Sequence, residues 1–256
     1  MAEAIVSHLQ GHRIMVSDVS PQRLDLLRQQ YKVKTTSDNS EAFAFGDVVV
    51  LAVKPQQMSE VLEELRTSHI ELRTKKLVIS IAAGIPLNYL QKKLGGFPVI
   101  RAMPNNPCLV GYGITALAKG KRVGRSQMNK AAAIFGAVGQ VIEVPEKWMD
   151  AVTGLSGSGP AFVYQAIEAL IGGGVQAGLS KTAAAQLAVQ TVLGSALTAK
   201  LSGKTPDELT SMVASPGGTT IEGLKVLGRA GFRKILEGAV VAAARRSKAI
   251  SKKWTL

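Results

Sequence analysis

The sequence predicts two unlike halves, a doubly wound α/β half followed by one that is helical throughout. Three observations carry this. Short β-branched runs alternate with helix-period stretches through the first part of the chain, the pattern of parallel strands joined by crossover helices. The run VVVLAV at Val48 to Val53 is apolar at every position, as a strand covered on both faces must be. From Trp148 onward, only helical patterning punctuated by glycine remains. The domains expected are therefore 1–146 and 147–256.

In the first half, the expected strands are Arg13 to Ser17, Asp47 to Val53, Lys76 to Ala82 and Pro98 to Ala102. Between them fall helices at Pro21 to Gln30, with Ser20 as N-cap, at Gln57 to Leu65 and at Pro86 to Leu94. Two further strands, Gly113 to Ala118 and Gln140 to Val144, flank a helix at Ser126 to Phe135. The second half reads as helices at Pro160 to Gly178, Lys181 to Leu201, Pro206 to Val213, Thr219 to Arg229 and Phe232 to Lys253. Within the second of these, Thr182 to Ala199 carries no charge, yet Gln186, Gln190, Ser195 and its threonines make it too polar to span a membrane. An uncharged helix of this kind is expected to be buried on every face, inside a helical domain or between subunits.

Composition excludes several classes. In 256 residues, 46% are hydrophobic and 19% charged, which is incompatible with a disordered, collagen-like or disulfide-scaffold chain. The net charge of +13 favours anionic partners without choosing among nucleotides, small acids, nucleic acid and membrane surfaces. Cys108, the single cysteine, cannot form an intrachain disulfide, and Met1 to Gln10 lacks the basic start and long apolar middle of a secretory peptide. A cytoplasmic location is expected.

Ligands of an open parallel sheet bind beyond the carboxyl ends of its strands. Asp18 stands at such an end, where a carboxylate can accept hydrogen bonds from ribose hydroxyls or simply sit in a solvated turn. Lys54 and Pro55 follow the next strand, where the proline also serves to end it. Arg101 to Pro107 reads RAMPNNP, and its Asn105 and Asn106 can orient a carboxamide or satisfy a turn. In the helical half, LSGSGPA at Leu155 to Ala161 and SPGGTT at Ser215 to Thr220 both place glycines just before a helix. Free amides and the helix dipole suit such termini to a carboxylate or phosphate, and they serve equally as plain caps. His8 and His12 are interrupted by Gly11 and lack an acidic partner, His69 reads as a surface residue, and no metal is expected. The basic stretch with Arg245, Arg246, Lys248, Lys252 and Lys253 reads as a solvated helix face, so neither nucleic acid nor membrane is expected as a partner.

Four ordered segments, AVKPQ (Ala52 to Gln56), MPN (Met103 to Asn105), DAVTGLSGSGPA (Asp150 to Ala161) and VASPGGTT (Val213 to Thr220), resemble the pyrroline-5-carboxylate reductase family through essentially the whole chain. The resemblance implies a Rossmann-type N-terminal domain and an all-α C-terminal domain for substrate binding and dimerisation, in a homodimer or higher homo-oligomer. It implies hydride transfer from NADP or NAD cofactors to C5 of L-1-pyrroline-5-carboxylate, giving L-proline. Ser215, Gly217, Gly218, Thr219 and Thr220 would hold the substrate carboxylate through backbone amides. Thr220, the catalytic candidate, would face the ring nitrogen, and the loop would reach a nucleotide domain across the dimer interface. Ala52, Lys54, Pro55 and Asn105 would lie beside the cofactor, with Asp18 at its ribose. Family members begin with a strand and a GxGNMAEA turn, whereas this sequence opens at Met1-Ala2-Glu3-Ala4, just inside the first helix; a sheet without its first, central strand is expected. The alternatives are another imine or hydroxyacid oxidoreductase of similar architecture and a non-catalytic nucleotide-sensing remnant.

Overall fold

The structure is a computed structural model that describes residues 1–9, 11–67 and 76–254. His69 lies outside the described residues. Two compact units are present, Met1–Ser158 with Val241–Leu256, and Gly159–Val240.

The first unit runs α1 (Ala2–His8), β1 (Met15–Ser17), α2 (Pro21–Tyr31), β2 (Lys34–Thr36), α3 (Asn39–Phe45), β3 (Val48–Leu51), α4 (Met58–Thr67) and β4 (Leu77–Ser80). It continues with α5 (Leu87–Lys93), β5 (Val99–Met103), β6 (Gly113–Lys119), α6 (Arg125–Gly136), β7 (Gly139–Glu143) and α7 (Met149–Val152). Local chemistry sets several starts. The Ser20 hydroxyl accepts from the Arg23 amide at 3.4 Å to cap α2, and Pro21 fills the first turn, where no N–H is needed. Asp38 caps α3 by accepting from Ser40 and Glu41 amides at 2.7 and 3.3 Å.

β3, β4 and β5 pair in parallel, β6 returns antiparallel to β5, and β7 is parallel to β6. The reversal at β6 departs from the parallel pattern because only the single 3-10 turn Asn106–Val110 lies in the connection, too little chain for a crossover. β1 and β2 form a separate parallel pair. Among the described residues, β1 pairs only with β2, and β3 pairs only with β4.

Both faces of the larger sheet are covered, as its apolar strands require. Val78 packs in one cluster with Phe43, Met58, Leu62 and Leu90, while its neighbours Leu77 and Ile79 pack in another with Ile5, Ile100, Leu117 and Phe135. Met149 is fully buried, and Val152 packs on the first of these clusters. This is why the compact units divide at Ser158 rather than at residue 146, where the sequence pattern changes: the opening helical turns stay on the core of the α/β unit.

A buried lysine closes one helix from outside. Lys76 donates through Nζ to the carbonyls of Phe43, Ala44 and Gly46 at 2.8, 2.8 and 2.6 Å, satisfying the carboxyl end of α3 with a positive charge where the helix dipole is negative.

The second unit contains α8 (Gly159–Gln176), α9 (Lys181–Leu201), α10 (Pro206–Val213), α11 (Thr219–Arg229) and the start of α12 (Phe232–Lys252), whose end belongs to the first unit. A capping box starts α10, with the Thr205 hydroxyl accepting from the Glu208 amide and Glu208 accepting from the Thr205 amide at 2.7 Å. Burial of α9 on every face within its own chain is not found. Ala184 and Ala188 are buried, but Leu187, Val189 and Leu193 are 56%, 49% and 46% exposed. Among the described residues, no helix is long and apolar enough to cross a membrane.

Replacing Lys76 by Met should leave three carbonyls without their donor and lower the unfolding free energy by roughly 1 to 3 kcal/mol. Urea titration followed by circular dichroism would measure this, and an unchanged midpoint and slope would show that the contact does not stabilise the protein.

Candidate active site

β3, β4 and β5 deliver their carboxyl ends to one edge, and the expected nucleotide residues of the larger sheet follow there. Ala52 and Lys54 are exposed just beyond β3, and Pro55 opens a 3-10 turn that closes with the Gln57 amide donating to the Lys54 carbonyl at 3.0 Å. Asn105, two residues past β5, is 9% exposed and accepts from the Ile114 amide through Oδ1 at 2.9 Å. That bond fixes which end of the carboxamide is oxygen. Its Nδ2 has no partner among the described residues and stays available as a donor.

In the separate pair of strands, Asp18 follows β1. Its carboxylate accepts from the Ser20 amide at 2.9 Å and lies 3.5 Å from Arg23 Nε. The aspartate is thus both a turn former and a partly neutralised charge. Ser17 donates to Asn39 Oδ1 at 2.8 Å. A free amide donor, a lysine and a carboxylate beyond strand ends fit the nicotinamide and ribose parts of a dinucleotide.

Arg101 has a role that the sequence reading missed. Its side chain is 5% exposed, with Nη1 3.7 Å from Glu146 and Nη2 3.9 Å from Asp150. Burial pushes the guanidinium pKa down, opposed by the charges of Glu146 and Asp150. Asp150 Oδ1 also accepts from the Ser247 and Ser251 hydroxyls at 2.7 and 3.3 Å, and Glu146 accepts from the Leu87 amide at 2.6 Å to cap α5. One buried charge therefore ties β5, α5, α7 and the end of α12 together, four residues before Asn105. The signal was present in PVIRA, an arginine inside an otherwise apolar strand, which demands acidic partners.

The two glycine segments of the helical half differ. LSGSGPA is not an open turn: Thr153–Gly157 is a π-helical turn that follows α7, and α8 starts at Gly159, with the Ser158 amide donating to the Thr153 carbonyl at 2.9 Å. Thr153 and Ser156 hydroxyls donate to carbonyls four residues back at 2.8 and 3.1 Å, which keeps the backbone helical despite its glycines. No open anion-binding loop is present there, because this stretch is wound into helix.

SPGGTT is open. Ser215 to Gly218 forms a turn with Pro216 second, Gly217 third at φ +73°, and the Gly218 amide donating to the Ser215 carbonyl at 2.9 Å. These are the features of a type II turn, whose third position favours glycine. Gly218 then opens α11 with no side chain to cap it. The amides of Thr219, Thr220 and Ile221 have no partner among the described residues, and both threonines are exposed. Positive helix-end charge and free N–H groups are what a carboxylate would need at such a terminus.

The fold and edge chemistry define the class: a nicotinamide-dependent oxidoreductase with a Rossmann-type domain and a helical domain. Residues 146–250 match the family described as pyrroline-5-carboxylate reductase dimerisation, and residues 1–84 match the one described as NADP oxidoreductase, coenzyme F420-dependent. A pyrroline-5-carboxylate reductase of Synechocystis sp. is 48% identical, with 99% of this chain and 96% of that protein covered. The solved reductase of Coxiella burnetii superposes with TM-score 0.89 at 40% identity, covering 98% of this chain and 94% of that one. The Plasmodium falciparum enzyme, solved with NADP bound, gives 0.87 at 32% identity over 98% and 92% of the two chains. This chain belongs to the pyrroline-5-carboxylate reductase family.

Asp150→Ala should leave Arg101 with one distant carboxylate and the Ser247 hydroxyl without its acceptor, while Ser251 keeps the Ser247 carbonyl at 3.2 Å. A loss of roughly 2 to 4 kcal/mol is expected in chemical denaturation. A loss below about 0.5 kcal/mol, the range of ordinary surface substitutions, would show that the network does not hold these elements.

Proposed function

We propose that this protein reduces L-1-pyrroline-5-carboxylate to L-proline, using NADP(H) or NAD(H), as a homodimer or higher homo-oligomer of the cytoplasm. The observation that carries the reading is the uncapped start of α11 behind the Ser215–Gly218 turn, a receptor for a small carboxylate. Family membership and the names of the relatives support the choice of substrate. Exposed apolar side chains along α9 support the oligomer, and the lone, buried Cys108 is compatible with a reducing compartment.

In this reading, the amides of Thr219, Thr220 and Ile221 grip the carboxylate, and Ser215, Gly217 and Gly218 shape the turn that leaves them free. Thr220, in the first turn of α11, offers a hydroxyl to the ring nitrogen and keeps the imine proton in place. Protonation makes the adjacent carbon electrophilic, so no strong base is needed. When bound, the reduced nicotinamide supplies the hydride that C5 receives. Asn105, Ala52, Lys54 and Pro55 hold and orient that cofactor, and Asp18 takes its ribose. The residues work mainly by orientation, which can supply roughly 7 to 11 kcal/mol of barrier reduction.

Two substitutions test these roles. Thr220→Ala should reduce kcat/KM for the imine about tenfold to a hundredfold and weaken proline binding, because a hydrogen bond to a charged group is worth roughly 1.5 to 3 kcal/mol. Unchanged steady-state kinetics would reject the assignment. Asp18→Ser should raise the NADPH-to-NADH ratio of kcat/KM by about tenfold, because a like charge no longer faces the 2′-phosphate. An unchanged ratio would remove Asp18 from cofactor choice.

A further inference from the structure

At the edge of the larger sheet opposite Asn105, the turn after α5 and the turn after β6 enclose a cleft of about 340 Å³. β5 runs away from this cleft and β6 runs toward it, because Ile100 pairs with Lys119 in antiparallel register. The five residues of β5 therefore separate the cleft from the nucleotide edge, a span of about 16 Å. Lys92, Lys121 and Arg122 line the cleft, together with the amides of Asn88 and Gln91, and no carboxylate does.

One of these cations is held in place. Arg122 donates through Nη1 to the Gly96 carbonyl at 2.9 Å, and a Cβ on Gly96 would stand 2.9 Å from that same nitrogen. The glycine is what lets the guanidinium lie against the turn. At Gly120 an added Cβ would stand 2.6 Å from the Val99 carbonyl oxygen and 3.0 Å from Gln91 Nε2, so this glycine lets the turn after β6 lie close against β5 and α5. Asn88 accepts from the Tyr89 amide through Oδ1 at 2.8 Å, leaving its NH2 as a donor. Lys92 and Lys121 have no acidic partner among the described residues.

Three cations, fixed amide donors and no acid form a site for a compact, multiply charged anion. Phe97, the aromatic residue of the lining, is 6% exposed and offers no platform on which a base could stack. We propose that this cleft binds a small anion carrying two phosphate groups, recognised by charge, at a site separate from the nicotinamide cofactor. It goes beyond the reductase reading and does not depend on it.

The test is calorimetric titration of the full chain, saturated with NADP+ so that the cofactor site is closed to competitors, at fixed ionic strength and without divalent cations. Inorganic pyrophosphate is one probe and a sugar bisphosphate the other; the tighter of the two identifies the source of the phosphates. Binding of one anion per chain is expected, weakened about tenfold or more in Lys92→Gln/Lys121→Gln. Arg122→Gln, which keeps a donor for Gly96, should weaken it similarly, and neither variant should change NADP+ affinity or melting temperature. Absence of binding by both probes would overturn the proposal. So would equal affinity in the variants, or loss of binding when NADP+ is added.

Discussion

Asn105 keeps a free amide donor because the Ile114 N–H holds the oxygen end of its side chain, and that bond exists because the chain turns back at once from β5 into β6. The 3-10 turn Asn106–Val110 that makes the reversal is short and rigidly begun by Pro107, so a buried carboxamide is oriented by backbone alone. Behind it, Arg101 fixes β5 to α5, α7 and the end of α12 through two carboxylates and two serine hydroxyls. A buried cation of this kind is costly unless paired, so the four elements are held in one arrangement or the charge is stranded. The candidate cofactor edge inherits its precision from that network.

The chemistry proposed asks little of side-chain acidity, and the site is built accordingly. Apart from Lys54 and Asp18 beyond the strand ends, its polar groups are backbone amides, hydroxyls and a carboxamide, which position and polarise without titrating near neutral pH. Carboxylates are kept in structural pairs: Asp18 with Arg23, Asp150 and Glu146 with Arg101, and Glu222 with Lys225. The substrate carboxylate would then meet a positive helix end with no exposed acid of the same turn left uncompensated.

Much of this was legible in the sequence. β-Branched runs located β3, β4 and β5, and proline with N-cap serine located α2, because burial and capping leave local marks. β2, with only Lys34, Thr35 and Thr36, carries no apolar run and was not found; its neighbour α3 is seven residues long and takes its carboxyl-end cap from Lys76, 30 or more residues away. The turn before α11 was legible because Pro-Gly-Gly encodes a turn and an uncapped helix in consecutive residues. LSGSGPA misled for the converse reason: glycine reads as loop, while the hydroxyls of Thr153 and Ser156 and the surrounding packing hold it in a π turn. The Arg101 network joins residues as far apart along the chain as Leu87 and Ser251, beyond the reach of any local pattern.

The central claim is a hydride transfer to one particular carbon. Incubating the protein with L-1-pyrroline-5-carboxylate and reduced nicotinamide cofactor deuterated at C4 on its transferring face, then examining the product by NMR, tests it directly. L-Proline carrying a single deuterium at C5 is expected. Proline without deuterium, deuterium at another carbon, or no turnover with either NADPH or NADH would contradict it.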